Sequence, residues 1–117
     1  MEYMLLIYGS EADAKKLPDA VHQQTFQEYM TFTQDISKAG KNKGGAPLEQ
    51  STTATTVRVR NGKTVVTDGP FAETKEQLGG YYLVEAKDLD EAISIAARIP
   101  GAKFGSIEVR PVMKINM

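Results

Sequence analysis

Cysteine and tryptophan are absent from this sequence, and histidine occurs once, as His22, among 117 residues. Without cysteine the chain can form neither disulfides nor thiolate metal sites, and one imidazole is too few for a structural zinc site. We therefore expect no metal and no cofactor. The lack of disulfides fits a reducing compartment, so the expected location is the cytoplasm.

Long hydrophobic runs are also lacking. The run Met4-Leu5-Leu6-Ile7 follows an acidic start and is too short for a signal peptide or a membrane span. We expect a protein in solution with no membrane partner. A length of 117 residues corresponds to one domain, residues 1–117.

The formal net charge is −1, yet the middle of the chain is basic. Between residues 41 and 63, five cationic side chains stand against a single carboxylate, Glu49, which gives a local charge of +4. Nucleic acid could bind such a patch, but a solvated hairpin fits a slightly acidic domain better, so we expect no nucleic-acid partner. The cations are Lys41, Lys43, Arg58, Arg60 and Lys63.

The first half of the chain predicts a strand and a long helix. The apolar run at residues 4–7 indicates a central strand covered on both faces. Pro18 suits the first turn of a helix and Gly40 its end. Residues 41–53 are typical of a mobile loop that could include a short strand. The apolar or aromatic positions at helical spacing are Phe26, Tyr29, Met30, Thr33 and Ile36.

The dipeptide Asn61-Gly62 predicts a β-hairpin. It is the strongest short-range signal for a two-residue type I′ turn, and alternating valines flank it on both sides. Such a turn pairs Val57 with Val66 and, if no bulge intervenes, Asp68 with Thr55. Asp68 would then lie at the edge of an apolar face.

The second half predicts a strand, a helix and a last strand. Tyr81–Ala86 alternates as a strand. Asp88-Leu89-Asp90-Glu91 indicates a capping box at the start of a helix that Pro100 ends. The last strand runs from Ser106 to Met113, and Pro111 places its end at an edge or a bulge.

This order of elements is the split βαβ, ferredoxin-like pattern of the α+β class, with an inserted β-hairpin. Its antiparallel sheet has two helices on one face. The other face would carry valines and tyrosines, and a bare apolar area of that size is unusual for a monomer. We therefore expect a homodimer in which the sheet faces pack together about a two-fold axis and enclose a cleft.

An Asp-Gly-Pro-Phe turn at residues 68–71 leads from the hairpin through a polar loop into the strand at Tyr81. With this turn and its surroundings the chain resembles the YCII-related family, in its DGPF branch. The segments that carry the resemblance are 3–8, 53–58, 67–82, 89–92 and 107–111.

The resemblance implies a dimeric α+β barrel with a cleft between sheet and helices, in a superfamily that also holds small monooxygenases and lactone isomerases. In the wider family a helix-one histidine and an aspartate are suspected of acid–base chemistry, and His22 is the candidate histidine here. Some members of the branch are encoded beside extracytoplasmic-function sigma factors, which implies a regulatory role.

Asp68 is the first candidate catalytic residue. Desolvation at the edge of an apolar face raises the pKa of a carboxyl group, which suits a general acid or base. An aspartate before Gly-Pro is also a common turn former whose side chain accepts backbone N–H bonds. His22 is the second candidate: it shares a helical face with Phe26 and Tyr29 and could exchange protons in the cleft, although such residues are more often packed or half exposed.

Three further residues are candidates for a ligand pocket: Tyr81, Arg58 and Glu73. Tyr81 and Tyr82 point to opposite faces of a strand, so one can line the cleft while the other packs under a helix. Arg58 could bind an anionic ligand or form a surface ion pair. Glu73 could belong to a lid or to ordinary solvated surface.

The leading hypothesis is a homodimer that binds an unidentified small molecule, partly aromatic or carboxylate-bearing, and acts as a cofactor-free acid–base enzyme. The alternative is a non-catalytic regulatory or binding module linked to sigma-factor signalling. A dimer with a purely structural role is the third reading. A desolvated Asp68 would favour the enzyme, whereas a fully exposed Asp68 would weaken it.

Overall fold

The computed structural model describes residues 1–116 and contains six strands and three α-helices within that range. Four strands form one antiparallel sheet, and two form a separate hairpin. Short 3-10 turns at Ser51–Thr53 and Pro100–Lys103 complete the chain. In chain order the elements are β1 Glu2–Gly9, α1 Glu11–Ala14, α2 Asp19–Lys38, β2 Asn42–Pro47, β3 Thr55–Arg60, β4 Lys63–Asp68, β5 Gln77–Glu85, α3 Leu89–Ala97 and β6 Ser106–Pro111.

The four-stranded sheet has the order β2-β5-β1-β6, with every neighbouring pair antiparallel. The units β1-α2-β2 and β5-α3-β6 each leave one strand position between their two strands, which the other unit fills. This interleaving is the split βαβ arrangement. The predicted α+β, ferredoxin-like fold with an inserted hairpin is confirmed, and within the described residues the sheet is open rather than closed into a barrel.

Strand β2 makes the sequence prediction for this region more definite. Residues 41–53 were expected to form a mobile loop that could include a short strand, and Asn42–Pro47 is such a strand, paired along β5 at the edge of the sheet. Gly45 has a steric reason: a Cβ at this position, where φ is +155°, would lie 2.5 Å from the carbonyl oxygen of Tyr81. Glycine makes this segment resemble a loop in sequence, but in the structure the missing side chain allows two backbones to approach closely.

The helices cover one face of the sheet, and the core lies between them. From the sheet, Tyr3, Leu5 and Val84 are at most 2% exposed, and Phe32 and Ile36 of α2 pack onto them. Phe32 meets the ring of Tyr82 edge to face, with 5.1 Å between the ring centroids. The remaining buried members of this core are Ala86, Ala92, Ile95, Ala96 and Ile99.

The helix ends follow their sequence signals. Helix α2 begins after Pro18 and ends with paired backbone bonds, from Lys41 N–H to the Ile36 carbonyl and from Gly40 N–H to the Ser37 carbonyl. This pairing is the Schellman motif that a glycine after a helix allows. Gly40 was therefore correctly predicted as the end of the helix.

Helix α3 shows the predicted cap in a modified form. The Asp88 carboxylate accepts a hydrogen bond from the Glu91 backbone N–H at 2.9 Å. The Glu91 carboxylate accepts in return from the N–H of Lys87 at 3.0 Å, one residue earlier than in the usual box. It also accepts from the Lys41 ammonium, which ties α3 to the end of α2.

The opposite side of the sheet, which we call the outer face, has no helix of residues 1–116 over it. Direct cross-strand partners share a face, so the pairs Leu6–Tyr81 and Met4–Leu83 place all four side chains there. Each is only half-buried. β1 was expected to be covered on both faces; within one chain it is covered on one. The apolar side chains of the outer face are Met4, Leu6, Tyr8, Leu78, Tyr81 and Leu83.

Strands β3 and β4 form a hairpin, here called the arm (residues 55–68), which is a separate two-stranded sheet among the described residues. Its register confirms the prediction, with Val57 opposite Val66 and Thr55 opposite Asp68. Asn61 and Gly62 have φ of 53° and 75°, as a type I′ turn requires. The arm lies outside the four-stranded sheet, and the molecule has extents of 47 × 47 × 19 Å.

No helix within residues 1–116 is long and apolar enough to cross a membrane.

Candidate functional site

Asp68 is the last residue of β4, and its side chain is exposed in the single chain. The turn after it is closed by other groups. Gly69 N–H donates to the Ala54 carbonyl at 2.6 Å, and the Thr56 hydroxyl donates to the Gly69 carbonyl at 2.8 Å. The Asp68 carboxylate is therefore not what closes this turn, and its oxygens face solvent at the root of the arm.

Phe71 follows in the same turn and is 78% exposed. Its own chain therefore leaves most of this large aromatic side chain in water, whereas a ligand or a second molecule could cover it. Phe71 and Asp68 thus place an exposed aromatic ring and an exposed carboxylate within one four-residue turn.

The loop from this turn to β5 carries Glu73, which is exposed. The loop is held at its far end rather than at Glu73. The Thr74 hydroxyl donates to the Glu76 carbonyl, and the Gln77 side-chain amide donates to the Thr74 carbonyl. The Ser106 hydroxyl reaches the Glu76 carboxylate at 2.9 Å, which fastens the loop to the start of β6.

Tyr81 lies on the outer face, next to Leu6 of β1 and Ala46 of β2. Its neighbour Tyr82 points to the helices, where its hydroxyl lies 2.7 Å from that of Thr33. The two tyrosines therefore take opposite faces, as expected. Tyr81 belongs to the surface that a sheet-to-sheet dimer would enclose.

His22 lies in the second turn of α2 and is exposed. Four and eight residues further on, Phe26 and Met30 are 63% and 46% exposed, so the three form one stripe along the helix surface. The surface depression beside His22 is shallow and lined by α2 residues only, among them Gln23 and Gln27. In the single chain it is not an enclosed pocket.

Arg58 lies on the arm, directly opposite Val65. Because alternate residues of a strand face opposite ways, Arg58 and Asp68 lie on opposite faces of the arm. A single chain therefore does not bring the five candidates together: two belong to the arm, and Glu73, Tyr81 and His22 belong to a loop, the outer face and α2. Their assignment as catalytic or pocket residues stays a prediction.

Perturbed acidities occur in the body of the protein. Burial raises the pKa of the Tyr29 phenol, an effect that the Gly101 backbone N–H, 3.2 Å from its oxygen, partly offsets. The hydrogen bond from Lys41 is the main cause that holds the pKa of Glu91 below its usual range. Both groups join helices to their surroundings, so we read these shifts as structural.

Metal binding has no preassembled site in the part of the chain described here. Within residues 1–116 no three histidine, aspartate or glutamate side chains converge on a common point.

A cluster at the root of the arm was missed in the sequence. The Glu11 carboxylate accepts from the backbone N–H and the hydroxyl of Ser51, at 2.8 and 2.7 Å. The side-chain oxygen of Gln77 accepts from the Glu11 N–H at 2.9 Å. We call these three residues the root cluster. It joins α1, the turn before β3 and the start of β5, and so fixes where the arm leaves the body.

One sequence signal could have revealed part of this cluster. Ser10 is followed three residues later by Asp13, and its hydroxyl caps α1 by accepting from the Asp13 N–H. That spacing predicts a helix start at Glu11. The partner Ser51 lies 40 residues away, and no local pattern indicates it.

Comparisons with known proteins agree with this architecture. An uncharacterised protein of Rhizobium meliloti (strain 1021) is 38% identical over 114 residues, which cover 96% of this chain and 92% of that protein. The solved structure of 5-chloro-2-hydroxyhydroquinone dehydrochlorinase (TftG) from Burkholderia phenoliruptrix AC1100, in complex with 2,5-dihydroxybenzoquinone, shares the fold. It matches with a TM-score of 0.56 and 16% identity over 97% of this chain and 94% of its own.

The model of the YCII-related domain matches residues 1–116. Together with the Rhizobium relative, this match over nearly the entire sequence shows that the chain belongs to the YCII-related family.

Proposed function

We propose that this protein is a homodimer, paired through its outer face, that binds a small oxygenated ring compound and acts on it by cofactor-free proton transfer. The observation that carries the proposal is the structural neighbour, a dehydrochlorinase whose structure holds 2,5-dihydroxybenzoquinone and whose fold matches 97% of this chain. A fold of this size can therefore hold a small quinone-like ring and support enzymatic chemistry on it.

The outer face supports the homodimer. It presents six apolar or aromatic side chains, each half-buried, on a sheet with no helix above it. Packing two such faces would remove apolar surface from water, and each Å² removed would stabilise the dimer by about 25 cal/mol. Tyr81 would then line the enclosed space, where its phenol could stack on a ring or donate a hydrogen bond to a ring oxygen.

Asp68 is the proposed general base. In the single chain its carboxylate is exposed, which weakens an acid–base role unless another surface covers it. A cover of apolar groups would desolvate the carboxylate and raise its affinity for a proton. A base of that kind could take a proton from a phenol, or from a C–H beside a carbonyl, without any oxidation or reduction.

His22, Arg58 and Glu73 complete the proposal in lesser roles. His22 is the second proton-transfer group, Arg58 a partner for an anionic oxygen and Glu73 a polar residue at the mouth of the site. The regulatory alternative draws no support from the fold or from the relatives, and it stays a prediction.

The test is a ligand-induced melting shift measured on wild type and Asp68→Asn in parallel. The compounds would be small phenols, hydroquinones, quinones, lactones and aromatic carboxylates. A compound that binds only the native state raises the melting temperature, with a stabilisation of about 2.7 kcal/mol at one hundred times its Kd. Asp13→Asn, a change at an exposed carboxylate of α1, is the matched control.

We expect at least one ring compound to stabilise wild type and Asp13→Asn but to stabilise Asp68→Asn less. Turnover of that compound, followed by absorbance and by pH dependence, would then separate catalysis from binding. If no compound in these classes stabilises wild type, the small-ring proposal is wrong. If a compound stabilises all three proteins equally, Asp68 is not part of its site.

A further inference from the structure

One face of the arm, here called the valine face, carries Val57, Val59 and Val66. These side chains are 60%, 61% and 61% exposed. The register places Val57 directly opposite Val66, so the apolar groups are adjacent rather than scattered. Isolated exposed valines need no explanation, but three that adjoin on one face of a projecting hairpin form a patch.

The arm has too little structure of its own to be stable in isolation. A two-stranded hairpin is at best marginally stable in water, and three strands or a packed helix are usually needed. Every residue of β4 is exposed. Yet both ends of the arm are defined, the tip by the Asn61-Gly62 turn and the region where it joins the body by the root cluster. The arm thus has a well-defined turn and base but exposed strands, which indicates that another surface covers these strands.

Charge favours a second copy of this chain as that surface. The arm holds Arg58, Arg60 and Lys63 against the single carboxylate Asp68, so its formal charge is +2. The whole chain has a net charge of −1, which leaves the remainder at −3. The arm of one copy and the body of another therefore attract each other, and a copy also brings the apolar outer face.

The extended shape of the molecule also agrees with a second copy as the surface that covers the arm. The radius of gyration is 16.3 Å, whereas a compact domain of this length has about 13 Å. A six-residue strand reaches roughly 20 Å. An arm of that length, pointing away from its own body, can cross a two-fold axis and lie on the partner, and symmetry gives both arms the same cover.

We propose that the arm of each protomer packs its valine face onto the body of a second copy and thereby completes the partner-dependent site at Asp68. Asp68 lies on the valine face, because it pairs with Thr55, two residues from Val57. The contact that buries the valines therefore also withdraws the Asp68 carboxylate from water. This inference rests on the homodimer of the proposed function but assigns it a second contact, separate from the outer face.

Adjacent valines provide a matched test. Val66 lies on the valine face and Val65 on the opposite face, and both are exposed, so a lysine at either position leaves the body core untouched. Sedimentation velocity over a dilution series would give the dimer Kd of wild type, Val66→Lys and Val65→Lys. We expect Val66→Lys to raise the Kd at least tenfold and Val65→Lys to change it less than about twofold. Equal effects of the two variants, or no effect of either, would overturn the proposal.

A third variant, Leu83→Lys, separates the arm from the outer face. If Leu83→Lys weakens the dimer while Val66→Lys does not, the outer-face homodimer stands and the arm proposal fails. If wild type remains a monomer at all concentrations, both fail. If Val66→Lys and Leu83→Lys both raise the dimer Kd and Val65→Lys leaves it unchanged, the dimer has two separate contacts.

The absence of native cysteine permits a direct readout that does not depend on a destabilising change. Val66→Cys and Val65→Cys, each labelled with an environment-sensitive fluorophore, would be titrated through the dimer Kd. The proposal requires a blue shift of the emission at position 66 as the dimer forms, and a smaller one at position 65. An unchanged spectrum at position 66 would show that the valine face stays in water and would refute the arm contact.

Discussion

The body and the arm of this protein both form strands with an apolar face, with opposite results. In β1, Tyr3 and Leu5 are 2% and 0% exposed because α2 and α3 cover them. In the arm, Val59 and Val66 are both 61% exposed, although Val57-Arg58-Val59 alternates regularly. The difference shows that alternation predicts a strand and an apolar face, but not the molecule that covers that face.

The largest expected effect separates the two regions by stability. Ile36→Ala removes a side chain that is 1% exposed and leaves a cavity in the core, so the free energy of unfolding should fall by about 2–5 kcal/mol. Val65→Ala, on the arm, should change it by no more than about 0.5 kcal/mol. Urea unfolding followed by circular dichroism measures both. Similar losses for the two variants would contradict the distinction between a packed body and an uncovered arm.

A close backbone approach in the body gives the next largest effect. A Cβ at Gly105 would collide with the carbonyl oxygen of Tyr8, where β6 begins beside β1. Gly105→Ala should therefore cost about 1–3 kcal/mol. Gly9→Ala is the control, since a Cβ there has no atom within 4 Å. Thermal melts of the two variants should differ clearly, and equal melting temperatures would refute this reading of the β1–β6 junction.

The root cluster links the body to the arm, and a single substitution can remove hydrogen bonds from it. Glu11→Ala removes a carboxylate that accepts two hydrogen bonds from Ser51, so local stability at the root should fall by about 1–3 kcal/mol. We expect faster amide hydrogen exchange in the arm and little change in the core. Asp13→Ala, in the same short helix, is the control. Unchanged exchange in β3 and β4 would show that the arm does not depend on this cluster.

The smallest effect concerns acid stability. Glu91 has a pKa lowered chiefly by the Lys41 hydrogen bond and by the Lys87 N–H. A carboxyl group whose pKa is lower in the folded state contributes stability that is present above its unfolded pKa and is lost as the pH falls through the folded pKa. Glu91→Gln should therefore flatten the decline in melting temperature below about pH 4.3, whereas Asp90→Asn should not. An identical acid profile for Glu91→Gln and wild type would exclude this contribution.

Local signals predicted most of the fold. The Asn61-Gly62 turn fixed the pairing of the arm, and Gly40 marked the end of α2, because each depends on neighbours in sequence. The edge strand β2 was predicted only as a possible short strand within a loop, because Gly44 and Gly45 resemble a loop. The role of Gly45 depends on the approach of the Tyr81 backbone, which no local pattern reveals.

The candidate site was less predictable for a related reason. Asp68 was placed correctly at the edge of an apolar face, but that face belongs to the arm and not to the main sheet. His22 and Tyr81 lie on elements whose mutual arrangement is a tertiary property. Which of these residues share a site depends further on a second molecule, and a single sequence holds no direct record of that contact.

The central position of β1 has a consequence for biosynthesis. Among the strands described here, β1 leaves the ribosome before the others, yet its two neighbours, β5 and β6, are made after the remaining strands. Until residue 111 has emerged, both edges of β1 cannot be paired as in the native sheet, whereas the arm can close within microseconds of its own synthesis. The sheet of the body can therefore be completed only after β6 has emerged, and a nascent chain stalled before β6 would expose one edge of this apolar strand to other chains.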